Sequence, residues 1–173
     1  MKTREEAFQL LDHLNAPQHL INHVALVGEA ADLLIEKFME MKVNLDPDFV
    51  RIGVVIHDIG KITHTNEMYG PGSQHEPEGE RILLSRGFAP AIARCCLSHA
   101  RWSDMEWTIE ELTIALSDKL WKGKRVEELE LQLIDRISHT LGADRWDVFP
   151  ELDLCFEAIA SEGHNRLERS AAN

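Results

Sequence analysis

The sequence predicts an all-α fold, a helical bundle of about seven to eight helices. Apolar residues recur at the helical period, most clearly at Leu20, Val24, Val27, Ala31, Leu34 and Phe38. Helix-start chemistry recurs as well, at Thr3, at Asp46–Pro47 and at Thr108 with Glu111. No segment alternates apolar and polar residues as a half-buried strand does, and there are no repeats or low-complexity tracts.

Thr3 caps a first helix running to about Leu14, with Glu5 and Glu6 in its first turn, where acidic groups meet the positive end of the helix. Pro17 suits the start of a second, reaching about Met41. Asp46 and Pro47 open a third, expected to end at Gly60. Residues 61–74 (KITHTNEMYGPGSQ) read as a loop, because they are rich in Gly, Asn and Thr. A fourth helix is expected from His75 to Arg86, stopped by Gly87, and a fifth from Pro90 to about His99. Thr108 and Glu111 form a capping-box pattern for a sixth helix to about Lys122. A seventh spans Val126 to Leu141, stopped by Gly142, and an eighth Pro150 to Ser161. The closing NRLERSAAN is expected to fray as a terminus.

Composition narrows the function. A chain of 173 residues is long enough for one domain with a real core, and 44% hydrophobic with 28% charged residues is ordinary for a soluble globular protein. Its apolar runs are far shorter than the ~20 residues of a membrane span. The opening MKTREEAFQLLDHLN has no apolar core of a signal peptide. Three cysteines, Cys95, Cys96 and Cys155, make an odd set with two adjacent, which fits a reducing cytoplasm better than a disulfide framework. A net charge of −12 repels nucleic-acid backbone and anionic lipid, so neither is expected as a bulk partner. A phosphorylated substrate then requires local positive charge.

The stretch VRIGVVIHDIGK at 50–61 sets His57 and Asp58 at the end of the most hydrophobic segment. An unpaired buried carboxylate is costly, so something must compensate it. His23 borders the apolar stripe of the second helix. His75 shares a face with Gly79 and Ile82, His99 with Ile92, Cys95 and Cys96, and Asp118 with Ile114, Ala115 and Trp121. One inward histidine is ordinarily a hydrogen-bonded core residue. Four inward histidines and two inward aspartates on five helices are better explained by convergence on metal ions, since imidazole and carboxylate suit first-row divalent metals.

In this order the residues resemble the HD-domain metal-dependent phosphohydrolases, whose pattern is a first His, an HD doublet and a distal Asp. Here these are His23 in HVALVGEA, His57–Asp58 in HDIGK and Asp118 in ALSDKLW. His75 in HEPEGE and His99 in CCLSHARW match the two further histidines of the binuclear members. The resemblance covers about residues 18–125, with residues 126–173 as C-terminal helices of a single domain, 1–173. It implies two divalent transition-metal ions, iron or manganese. One is held by His23, His57, Asp58 and Asp118, the second by Asp58, His75 and His99. The arrangement is similar to the bacterial HD proteins that cleave symmetrical dinucleoside tetraphosphates, and there is no GYP-type signature of the cyclic-dinucleotide phosphodiesterases.

The implied activity is hydrolysis of a phosphoester or phosphoanhydride in a small nucleotide-like molecule. Two-metal chemistry activates a water for in-line attack on phosphorus, and neighbouring cations stabilise the charge that develops. Asp58 bridges the ions in this reading and Lys61 is the catalytic cation. His64, Arg101, Lys119 and Lys122, together with Lys61, are candidate substrate contacts, and Lys124 and Arg125 add charge nearby. Two alternatives stand beside it. One is a binuclear iron oxygenase on the same scaffold, although such enzymes tend to carry a His at the position of Lys61. The other is a non-catalytic nucleotide-binding module, disfavoured by the intact ligand set. His13, His139 and His164 read as surface residues, and His19 as a neighbour of His23. Cys95 and Cys96 read as small core residues, and Trp102 and Trp107 either stack a base or pack.

Overall fold

The computed structural model describes residues 2–104 and 107–171, and no strand occurs among them. The helices are α1 (Arg4–His13), α2 (Gln18–Glu40), α3 (Pro47–Ile56), α4 (His75–Ser85), α5 (Pro90–Ala93), α6 (Cys95–Ser98), α7 (Ile109–Leu120), α8 (Glu127–Leu141), α9 (Arg145–Ser161) and α10 (Gly163–Ala171). Two short 3-10 turns, Ile59–Ile62 and Thr65–Met68, lie between α3 and α4. The all-α bundle expected from periodicity is therefore present. None of the helices described is long and apolar enough to cross a membrane.

α2 is the central strut. Leu20, Val24, Val27, Ala31, Leu34 and Phe38 are all buried, and this stripe packs on α3 and α7 and also receives α9 and α10. Full burial of such a side chain contributes roughly 1.5–3 kcal/mol, so this stripe is a major part of the core. The expected caps form. Thr3 accepts from Glu6 N–H at 3.2 Å, and the Asp46 carboxylate accepts from Asp48 and Phe49 N–H at 3.0 and 3.1 Å. Thr108 and Glu111 bond reciprocally as a capping box.

Four boundaries differ from expectation, each for a tertiary reason. The third helix stops at Ile56, not Gly60, and the supposed loop after it begins as a 3-10 turn. A regular helix would splay the adjacent side chains of His57 and Asp58 by about 100°, whereas the change of path at Asp58 (φ −105°, ψ 12°) brings both toward one point. The fifth helix is interrupted at Arg94, which reaches Glu111 at 2.9 Å and lies over the Trp107 ring at 4.4 Å. The eighth expected helix, α9, starts five residues early. Asp144 caps it, and Pro150 sits inside it, giving up one N–H while Val148, Leu152, Phe156 and Ile159 are buried along one side. The C-terminal segment does not fray through residue 171. It forms α10, anchored by the buried Arg166 guanidinium donating to Ile159 C=O at 2.7 Å. Residues 172–173 lie outside the described residues.

Two glycines let the site-bearing elements approach. A Cβ at Gly53 would lie 2.2 Å from Ile114 Cδ1, so α3 and α7 cross closely there. One turn further along each helix stand His57 and Asp118. A Cβ at Gly60 would lie 1.9 Å from the His75 carbonyl oxygen, so the first turn of α4 rests directly on the 3-10 turn that follows Asp58.

Candidate metal centre

Five elements deliver six side chains to one place, all buried except His23, which is nearly so. Asp58 is at the middle. Its Oδ2 lies 3.1 Å from His23 Nε2 and 3.5 Å from His57 Nε2, and its Oδ1 lies 3.2 Å from His75 Nε2 and 3.6 Å from His99 Nε2. Asp118 Oδ1 is 3.6 Å from His23 Nε2 and 3.7 Å from His57 Nε2. Two sets have ligand atoms within 4.8 Å of one another, His23–His57–Asp58 and Asp58–His75–His99, and Asp58 belongs to both.

The far nitrogens of the rings are committed elsewhere. His57 Nδ1 bonds Val54 C=O at 2.9 Å, and His99 Nδ1 bonds Cys95 C=O at 3.3 Å. His75 Nδ1 bonds the Glu67 carboxylate at 2.6 Å. Each Nδ1 acts as a donor to an oxygen, which leaves the Nε2 lone pair facing the centre. Four buried atoms there, His23 Nε2, His57 Nε2, His75 Nε2 and Asp58 Oδ1, have no hydrogen bond. A buried polar atom without a partner is costly, and four at one point are the pattern that a cation resolves. The donor set, imidazole nitrogen with carboxylate oxygen, suits divalent first-row metals.

Electrostatics agree. Burial, with His57 adjacent, pushes the His99 imidazole down to about 3, and burial lowers His23 against the pull of Asp58 and Asp118. Both are thus neutral near pH 7, as ligation requires. For His75 the pull of burial is outweighed by Asp58 and Glu67, which raise it. Burial alone would raise the two aspartates, yet the histidines around Asp58, and His57 with Lys119 beside Asp118, hold both carboxyls well below their usual range. Three lysines offset the acidic chain locally: Lys61 Nζ is 2.6 Å from Asp58 Oδ2, Lys119 Nζ 2.7 Å and Lys122 Nζ 4.0 Å from Asp118 Oδ2.

Other anticipated contacts separate by position. Lys61 and Lys122 line a pocket beside His23, whereas Lys119 is engaged with Asp118. His64 precedes the second 3-10 turn, and Arg101 is tied to the buried Glu76 at 2.8 Å; neither is among the residues lining that pocket. Arg125 is spent on Glu130, Asp153 and Glu157. Trp107 is buried and donates to Arg101 C=O, so it packs and cannot stack a base, while Trp102 is half-buried against the core. Cys95 and Cys96 are buried as expected.

Glu67 was not legible beforehand. It sits within a loop-like sequence, eight residues before His75, where no periodicity marks it. In the fold it is buried and accepts three N–H groups: His75 Nδ1, and the backbone of His75 (3.0 Å) and Gln74 (3.2 Å). Gln74 gives α4 no side-chain cap, so Glu67 caps the helix from outside while orienting His75.

No curated protein and no solved structure matches this chain. A family model does match, the HD domain, over residues 20–140, and that span contains the doublet, the three further histidines and Asp118. The chain belongs to the HD-domain family.

Proposed function

We propose that the protein is a metal-dependent phosphohydrolase acting on a small phosphorylated, nucleotide-like molecule, and that residues 1–173 form one HD domain. The observation that carries this reading is the convergence of four unbonded buried ligand atoms on the two sides of Asp58. His23, His57, Asp58 and Asp118 would hold one divalent transition-metal ion, iron or manganese, and Asp58, His75 and His99 a second. Bound there, such ions supply Lewis-acid activation of water and of the phosphoryl group.

The chain's own residues do the rest. The Nδ1 bonds of His57, His75 and His99 fix each ring in the ligating tautomer. Lys61, with its ammonium beside Asp58, and Lys122 place positive charge where the phosphoryl oxygens gain negative charge. Hydrolysis adds a water oxygen to phosphorus, breaks the P–O bond to the leaving group, and passes the water's protons to the leaving oxygen and to solvent. The packing of α9 and α10 on α2 supports a single domain.

The test is turnover of a nucleotide panel by manganese- or iron-loaded protein, with and without oxygen, read as phosphate or nucleotide release. Equal hydrolysis under anaerobic conditions, abolished by chelator, is expected. A strict need for oxygen would replace hydrolysis with the oxygenase alternative.

A further inference from the structure

A pocket of about 290 Å³ opens beside His23, and its lining is divided in character. Lys61 and Lys122, the two cations, are also the residues whose ammonium groups approach Asp58 and Asp118, so the charged part adjoins the metal centre. Leu20, Met68, Trp121 and Leu167 supply the apolar part. In a chain with 30 acidic residues, no acidic side chain is among the described residues that line it. Such a lining fits an anion at one end and an apolar body at the other.

Leu167 and Ser170 come from α10, and α10 is held in place. The Arg169 guanidinium bonds both oxygens of Glu29 on α2, at 2.8 and 2.6 Å. The buried Arg166 bonds Ile159 C=O. Its first residue, Gly163, lies against the Gly123 backbone so closely that a Cβ would come within 2.2 Å of Gly123 N. The helix is therefore built as a wall.

We infer, on the basis of the phosphohydrolase reading, that α10 completes the substrate pocket through Leu167. The pocket selects a phosphate monoester bearing one compact apolar or aromatic group, of the size of a single nucleoside, over a dinucleoside polyphosphate. The volume supports this choice, because it lies at the low end of ligand pockets, roughly 300–1,000 Å³. A volume of that size holds one base-sized group beside the lysines, with Leu167 and Ser170 of α10 on its border.

The experiment is calorimetric binding of three probes to the metal-loaded chain of 173 residues. These are inorganic phosphate, a non-hydrolysable phosphonate analogue of a nucleoside 5′-monophosphate, and a methylene-bridged dinucleoside tetraphosphate. The wild type is expected to bind the monophosphate analogue about ten-fold tighter than either other probe. Leu167→Trp fills the pocket and should weaken the analogue about ten-fold while phosphate affinity stays unchanged. Leu167 is 42% exposed, which favours tolerance of the substitution. Should the tryptophan variant misfold, Leu167→Ala serves instead. It removes apolar contact and should weaken the analogue about five-fold and narrow the gap to the tetraphosphate. Preference for the tetraphosphate, an analogue no tighter than phosphate, or folded Leu167 variants with wild-type affinities would overturn the role of α10 alone. Failure of all three probes to bind would overturn the phosphohydrolase reading and this inference with it.

Discussion

Replacing Glu67 by alanine removes an acceptor from three N–H groups at once, at 2.6, 3.0 and 3.2 Å. Two of them are backbone groups at the start of α4, which has no other side-chain cap, and the third is the imidazole of His75. Losing charge-assisted bonds in a buried setting costs on the order of 2 kcal/mol of stability, a fall of roughly 4–8 °C in Tm for a chain of this size. The effect on metal should be one-sided. His75 belongs only to the set with Asp58 and His99, while His23 and His57 take their orientation from other elements. Loss of a carboxylate that orients a ligating histidine typically lowers affinity about 10–100-fold. Glu67→Ala should therefore retain one tightly bound ion per chain and weaken the other by that factor. Manganese titration against a competing chelator, with a thermal melt alongside, measures both quantities. A lower Tm with two ions bound at wild-type affinity would reduce Glu67 to a helix cap and refute the reasoning.

Three further outcomes follow from the same geometry. Asp58→Ala should lose both of the ions expected at close to two per wild-type chain, because Asp58 alone belongs to both sets; elemental analysis finding one ion retained would show that Asp58 does not bridge. Lys61→Ala should lower kcat about 10²–10³-fold with the metal still bound, since an ammonium does not ligate cations and a preorganised charge is typically of that worth. Wild-type turnover in that variant would make Lys61 only the ion-pair partner of Asp58. Gly60→Ala should push α4 off the 3-10 turn, because its Cβ would fall 1.9 Å from His75 C=O. A destabilisation on the order of 5 °C in Tm is expected, together with weaker binding on the His75 side, and an unchanged melt would count against so tight a contact.

Much of the architecture and the list of candidate ligands came from the sequence alone, because periodicity, capping residues and turn glycines act locally. Thr3, Asp46 and the Thr108–Glu111 box cap where their chemistry says they should, and each inward histidine was already on the face its helix had to bury. What only the tertiary structure decided depends on residues distant in sequence. Breaking α3 at Ile56 is the route by which His57 and Asp58 face one point, and it reflects α4 resting on Gly60. Pro150 reads as a helix start, yet burial of Val148, Leu152, Phe156 and Ile159 carries α9 straight through it. The last segment, polar enough to read as a fraying end, is a helix because Arg166 finds Ile159 C=O and Arg169 finds Glu29, 140 residues away. Glu67 carries no periodic signal, since its role exists only once α4 lies beside its loop. Local propensity can nominate elements and ligands, but the pocket wall of α10 and the support of His75 arise from packing between segments, which no short window of sequence contains.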